Sequence, residues 1–337
     1  MARPHILILG SGSVGRRHAR NLYALGGEIS CMDPRPDRLE QAAIEVPLKY
    51  RFTSLEAALQ HAEEFVGVAV CSPPKFHVEQ SLAALDAGLA VLLEKPVSPD
   101  DTSCRQLQER LRKGGTLLLG YTYRWWEPLR RLKTLIDATT VGTLRYARFV
   151  MSAHLADWHP WERYEDFFMA SRELGGGALL DESHFLDLML WFFGMPERLF
   201  ARVEKISDLK ITTDDLVDVS AVYPKGLHVT IHLDLFGRPH ERQVVVVGEG
   251  GTLQCLFAPD EIRIGRTAEP HWETESFSVE RNEMFVSVAQ EFLALLQGNH
   301  TDLTCTIADG LKVLEVVEAC RESQRTGREV VLSRRTT

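Results

Sequence analysis

Six residues near the amino end, Gly10-Ser11-Gly12-Ser13-Val14-Gly15, have the types and spacing to hold a diphosphate. Glycines in a G-x-G-x-x-G pattern permit a tight turn and let backbone N–H groups approach phosphate oxygens at the positive end of a helix. The pattern carries weight only between an apolar strand and a helix. Residues 5–9 read as that strand and 14–25 as that helix. Asp33 stands at the spacing expected of a carboxylate that accepts from both ribose hydroxyls of a dinucleotide. Such a carboxylate repels a 2′-phosphate and favours NAD, although Arg35 and Arg38 are close enough to accommodate NADP. The competing reading is a strand–turn–helix that binds nothing.

Two other places could move protons and charge. Glu94-Lys95-Pro96 falls at the end of a strand candidate, the edge at which open α/β sheets hold ligands. The Lys95 ammonium there could favour the alkoxide character that develops as hydride leaves a carbon. The alternative is an exposed lysine before a proline turn. Asp181 and His184 lie three apart on a helical pattern and so share a face. An imidazole can take a hydroxyl proton while a carboxylate orients it. The alternative is a histidine packed in an amphipathic helix and satisfied by Asp181.

The elements that would position these groups fall into two blocks. In the first third, strand candidates at 5–9, 29–32, 66–71, 90–93 and 116–119 alternate with helices at 14–25, 38–44, 55–62, 75–87 and 102–113. Near-continuous apolar strands between helices predict a parallel, doubly wound α/β sheet. Thr53-Ser54-Leu55-Glu56 fits a capping box, and Ser98-Pro99-Asp100-Asp101 an N-cap with first-turn acids. After residue 123 a helix (127–137), a strand (144–151), a polar loop and a helix (179–193) come first. Strands at 199–205, 216–223, 227–235, 242–247 and 252–257 follow with Gly-rich turns, which predicts an antiparallel sheet. His228, Thr230, His232 and Asp234 form a polar row on one of its faces. Two helices, 283–296 and 307–324, end the pattern. A dinucleotide-binding domain over 1–123 and a substrate domain over 124–337 are expected.

Composition narrows the classes. The 337 residues carry a net charge of −9, without a basic block, so nucleic acid is not an expected partner. No long uninterrupted apolar run exists, and residues 179–193 contain Asp181, Glu182, His184 and Asp187, so no membrane span is expected. The six cysteines show no C-x-x-C pair, and the amino terminus shows no signal-like apolar region. A cytoplasmic protein is expected.

Taken in order, these features resemble the glucose–fructose oxidoreductase / myo-inositol 2-dehydrogenase (Gfo/Idh/MocA) family. The resemblance rests on Gly10 to Gly15, Ser72-Pro73-Pro74 with His77, Glu94-Lys95-Pro96, Gly120-Tyr121-Thr122-Tyr123-Arg124, and Gly175-Gly176-Gly177 followed by Asp181, His184 and Asp187. It implies a Rossmann domain plus an α/β domain with a large open antiparallel sheet. It also implies bound NAD or NADP, redox chemistry on a sugar, polyol or nucleotide sugar, and homodimers or homotetramers. Gly10, Gly12, Ser13, Val14, Gly15, Asp33, Arg38, Ser72, Pro73, His77, Glu94 and Lys95 would line the cofactor site. Lys95 would contact substrate and nicotinamide, His184 would transfer the proton and Asp181 would partner it. Two departures stand out. Asp181 precedes His184 by three residues where the family has four, so one residue is lost from that turn or the acid is not the equivalent one. Thr122 stands where many relatives have Asn.

The loop 154–173 is the expected specificity element. Trp158 and Trp161 could offer faces to a sugar ring, and Arg163 and Arg172 could bind a carboxylate or phosphate; the alternative is a loop whose tryptophans pack under the sheet. Tyr121, Arg124 and His184 complete the expected substrate contacts. No metal is expected, since nothing fixes His154, Asp157 and His159 in a ligating geometry. The family also includes cofactor-binding regulators, and a non-catalytic NAD(P) sensor is the alternative function.

Overall fold

A computed structural model describes residues 3–101, 104–158, 162–267, 271–299 and 302–332. The chain divides into two compact units, Met1–Trp125 with Arg281–Leu311, and Trp126–Glu280 with Lys312–Thr337. It re-enters the first unit after leaving it, which a single cut after Tyr123 does not describe.

In the first unit the chain runs β1 (His5–Leu9), α1 (Ser13–Ala24), β2 (Glu28–Met32), α2 (Pro36–Glu45), β3 (Leu48–Phe52), α3 (Leu55–Leu59), β4 (Gly67–Val70), α4 (His77–Asp86), β5 (Ala90–Glu94), α5 (Cys104–Arg112) and β6 (Leu117–Gly120). The six strands are parallel in the order β3-β2-β1-β4-β5-β6. That is the doubly wound order, with its reversal between β1 and β4, where the crevice at the strand ends opens. The strands β1, β4 and β6 are buried along their whole length, as expected of a sheet covered on both faces.

The helix α1 buries Gly15, His18, Ala19, Asn21 and Leu22, one stripe at helical spacing. Residues 281–311 supply cover: Asn21 and Asn282 exchange side-chain hydrogen bonds, and the side chains of Phe292 and Leu296 reach over Gly67. The cap of α3 is Ser54, whose hydroxyl accepts from Ala57 N at 3.2 Å, rather than Thr53. The helix α5 is described from Cys104, residues 102 and 103 lie outside the described residues, and the Ser98 hydroxyl accepts from Asp100 N at 3.5 Å.

The second unit contains α6 (Glu127–Asp137), β7 (Leu144–Ser152), α7 (Ala178–Asp181), α8 (His184–Phe193), β8 (Arg198–Glu204), β9 (Leu216–Val222), β10 (His228–Asp234), β11 (Glu241–Gly248), β12 (Gly251–Phe257), β13 (Asp260–Arg266) and β14 (Glu273–Ser276). The helix α9 (Arg281–Leu296) belongs to the first unit, α10 (Ile307–Thr326) leads back, and β15 (Val330–Val331) closes the second sheet. This nine-stranded sheet has the order β14-β13-β12-β11-β7-β10-β9-β8-β15. It is antiparallel except for one pair, β7 with β10, which run parallel from Tyr146↔His228 to Ser152↔Asp234. The sheet is therefore mixed. No described helix is long and apolar enough to cross a membrane.

The polar row on β10 is present, and it is knotted to its neighbours. His232 Nδ1 lies 2.7 Å from Asp218 on β9, and Nε2 lies 3.1 Å from Asp234. Hydrogen bonding to Asp234 outweighs burial and, with Asp218, raises the His232 pKa to about 9. The ordinary unfolded value is about 6.5. A folded value above the unfolded one stabilises fully below about pH 6.5, and that contribution is lost as pH rises through 9. The ring is 39% exposed, so solvent screening leaves on the order of 1 kcal/mol of it. Thermal melts should show the native protein losing about 2–4 °C more than His232→Gln between pH 6.5 and 9.5. Parallel pH profiles for the two proteins would contradict this.

Candidate active site

The carboxyl ends of the first unit's strands gather most of the expected cofactor residues. β1 is followed by Gly10, whose N–H donates to Met32 O at 2.8 Å, and the chain turns into α1 through Gly12. Gly15 is obligatory: a Cβ there would lie 1.8 Å from Gly10 O. A Cβ at Gly12 would meet only the Arg38 guanidinium, at 4.0 Å, so that side of the turn is open. The amino end of α1 has no side-chain cap and no acid in its first turn. Such a bare amino end, beside Ser13 and Val14, suits an anion.

Asp33 follows β2 and is 2% exposed. One carboxylate oxygen accepts from Ser11 N at 2.8 Å and the other from Arg35 N at 2.9 Å. The acid thus fixes the glycine turn and holds negative charge beside it. Arg38 stands 3.9 Å from the Asp33 carboxylate, with its side chain 35% exposed. Ser72 and Pro73 lie in the loop after β4, where the Ser72 hydroxyl donates to Gln80 at 2.7 Å. Glu94 ends β5 as a buried carboxylate, and Lys95 follows it, half-buried. Both belong to the first unit.

Three sequence expectations change here. His77 was expected beside the cofactor, but its ring is 1% exposed and both nitrogens face backbone carbonyls. Nδ1 lies 2.7 Å from Pro96 O and Nε2 lies 2.7 Å from Ser72 O. Burial holds this imidazole below its ordinary pKa, against the two carbonyls, which favour the charged ring. Arg124 was expected at the substrate, but it is 5% exposed, donates to Thr304 O at 3.1 Å and lies 3.4 Å from Asp309. Its charge ties residues 302–311 to the first unit. Tyr121 was also expected at the substrate, but its side chain is fully buried.

In the second unit the expected helix over 179–193 is broken. α7 ends at Asp181, Glu182 takes φ −91° and ψ 19°, and α8 begins at His184. Asp181 and His184 therefore sit on either side of a break rather than on one continuous helical face. The tight entry to α7 explains the glycine run. Gly177 adopts φ 112°, and a Cβ there would lie 2.5 Å from the Asp214 carboxylate. That carboxylate accepts from Leu179 N at 2.8 Å, acting as a cap delivered from a distant loop. Burial raises the Asp214 pKa, against the hydrogen bond from Leu179 N. Asp181 and Asp187 are buried, while His184 is half-buried.

The loop 154–173 is only partly as expected. Trp161, with His159, lies outside the described residues. The Trp158 indole N–H is buried with no partner among the described residues. Arg163 is exposed, 3.6 Å from Glu165, and Arg172 is also exposed. Asp157 is held by a two-pronged contact from Arg238, at 2.7 and 2.8 Å. Among the described residues no group of three or more His, Cys, Asp or Glu is gathered as a metal ion needs. Asp214 and His18 are further residues that the sequence pattern does not single out as site residues. A polar residue on the buried stripe of an amphipathic helix, three after Gly15, was the available sign of His18.

Comparisons with known proteins agree with the fold. Residues 5–121 match the family model described as "Oxidoreductase family, NAD-binding Rossmann fold", and residues 129–254 match the "GFO/IDH/MocA C-terminal domain". An inositol 2-dehydrogenase of Streptomyces avermitilis is 32% identical over 142 residues, 41% of this chain and 41% of that protein. A D-glucoside 3-dehydrogenase of Escherichia coli is 28% identical over 200 residues, 57% of this chain and 54% of that protein. The chain thus spans about half or less of the length of these curated relatives. A solved levoglucosan dehydrogenase in complex with NADH superposes with a TM-score of 0.86 at 16% identity, over 98% of this chain and 100% of that one. At that identity the likeness is one of fold.

Proposed function

The chain belongs to the Gfo/Idh/MocA oxidoreductase family, and on that premise we propose that it is an NAD-dependent dehydrogenase acting on a CH–OH carbon of a polyol or sugar. The observation that carries this reading is the Asp33 carboxylate, bonded to Ser11 N of the glycine turn beside the open side of Gly12. A diphosphate fits the bare amino end of α1 and a ribose fits the acid. The relatives named for inositol and D-glucoside dehydrogenation support a polyhydroxylated substrate. When bound, the nicotinamide supplies a hydride acceptor or donor. Lys95 holds and polarises the substrate oxygen, and the positive charge stabilises it as it becomes alkoxide-like. His184 takes up the hydroxyl proton in oxidation and returns it in reduction. Asp181 stands as its proposed partner across the helix break. Trp158, Trp161, Arg163 and Arg172 form the proposed substrate loop.

The test is absorbance at 340 nm with NAD or NADP against inositol, D-glucosides and levoglucosan, with NADH affinity measured by fluorescence titration. NADH binding and NAD reduction by at least one of these substrates are expected. A folded protein that binds no NADH would overturn the reading. Native mass spectrometry of the same preparation should find the proposed homodimer or homotetramer. Asp33→Ser should weaken NAD by roughly tenfold or more, the loss of a charge-assisted hydrogen bond of about 1.5–3 kcal/mol, and NADP by less. Equal losses for both nucleotides would remove the reason for assigning NAD.

A further inference from the structure

Two buried histidines grip the chain on either side of Lys95, and we propose that they act as a clamp that sets the direction of the lysine. The proposal rests on the reading that Lys95 meets the substrate, and both histidines lie in the first unit with it.

The first grip is His18. Its side chain is fully buried on the inner stripe of α1, and Nε2 lies 2.7 Å from Glu94 Oε1. A carboxylate only accepts, so Nε2 carries the proton. The Nδ1 atom has no partner among the described residues, and the ring meets Phe285 edge-on at a centroid distance of 5.7 Å. A residue chosen for packing alone would bring neither an unmatched nitrogen nor a buried carboxylate, both costly to desolvate. What the pair secures is Glu94, whose second oxygen accepts from Lys95 N at 3.3 Å. His18 therefore acts on the lysine from the residue before it.

The second grip is His77, on the residue after it. Its Nδ1 lies 2.7 Å from Pro96 O, and its Nε2 ties the same ring to Ser72 O at 2.7 Å, in the loop that follows β4. The ring donates to one carbonyl when neutral and to both when charged. It joins the ends of two adjacent parallel strands, and Lys95 projects from the segment between the two grips. A lysine stem has four carbons and much rotamer freedom, so its base must be fixed if its ammonium is to be placed. A misplacement near 1 Å at a reacting centre costs about 10²-fold in rate. His18 and His77 are positioning residues in this account, not catalytic ones.

Trace acetylation with acetic anhydride, read by mass spectrometry as Lys95 relative to exposed Lys113, tests the clamp without a substrate. His18→Phe should change the Lys95 ratio threefold or more, and His18→Gln, which keeps a donor near the Nε2 position, should restore it. His77→Asn keeps a donor toward Pro96 O, whereas His77→Gln keeps one toward Ser72 O. The clamp predicts a near-native Lys95 ratio for the former and a shifted ratio for the latter. A purely structural role would lower the melting temperature of both and leave the ratio unmoved. An unchanged ratio in folded His18→Phe and in His77→Gln would overturn the proposal. Should His18→Phe not fold, the two conservative His77 variants decide alone. Failure of the catalytic reading shows separately, as undiminished turnover in a Lys95 variant.

Discussion

Lys95→Met is expected to lower turnover about 10²–10³-fold, the usual effect of removing one preorganised donor from a developing oxyanion. Methionine keeps much of the apolar stem of lysine and removes the charge. The loss should fall on kcat more than on KM, because the ammonium is needed most where negative charge is greatest. NADH affinity should change little, since the glycine turn and Asp33 are untouched. Initial rates at 340 nm with the substrate found in the screen, together with NADH titration, make the comparison. Native turnover in Lys95→Met would mean that the strand-end lysine is not part of the chemistry.

His184→Asn is expected to cost about 10²–10⁴-fold, the range for a positioned general acid or base. Asparagine preserves size and hydrogen bonding but cannot exchange a proton near neutral pH. The variant should also lose the acid limb of the native kcat/KM profile, which belongs to the protonated imidazole in the oxidation direction. If Lys95 and His184 act on one oxygen, the double variant should be little slower than the slower single variant, because residues that work as a unit are strongly non-additive. Multiplicative losses would place them in separate steps. Asp181→Asn then measures the proposed partner: a loss below tenfold would mean that the helix break has separated this acid from the imidazole.

Legibility in the sequence followed the range of the forces involved. The places of the glycine turn, Asp33 and the tripeptide at 94–96 in the fold were readable because turn sterics, helix polarity and strand ends act over a few residues. The strand β3 was missed because Lys49 and Arg51 alternate with apolar residues on an edge, where neither face is fully buried. The helix over 179–193 looked continuous because its apolar spacing is continuous. Its break at Glu182 accompanies an anchorage of α7 by Asp214, some 35 residues away, which no local pattern announces. The parallel pairing of β7 with β10 is equally hidden, since the strands are separated by α7, α8, β8 and β9. In sequence, His77 and Arg124 read as ligand contacts because their neighbours fit a motif. Their side chains instead satisfy backbone carbonyls and Asp309, a use that becomes visible only when distant loops are brought together. The expected substrate loop was legible in its residue types alone: Asp157 is spent on Arg238, while Arg163 and Arg172 stay exposed.

A crystal structure of the NADH complex tests the central claim most directly. The expected result is the diphosphate on the turn from Gly10 to Gly15, with Lys95 Nζ within about 6 Å of nicotinamide C4, room for one carbon–oxygen unit with contacts of about 3 Å at each end. A nucleotide seated elsewhere, or a Lys95 side chain directed away from C4, would contradict it.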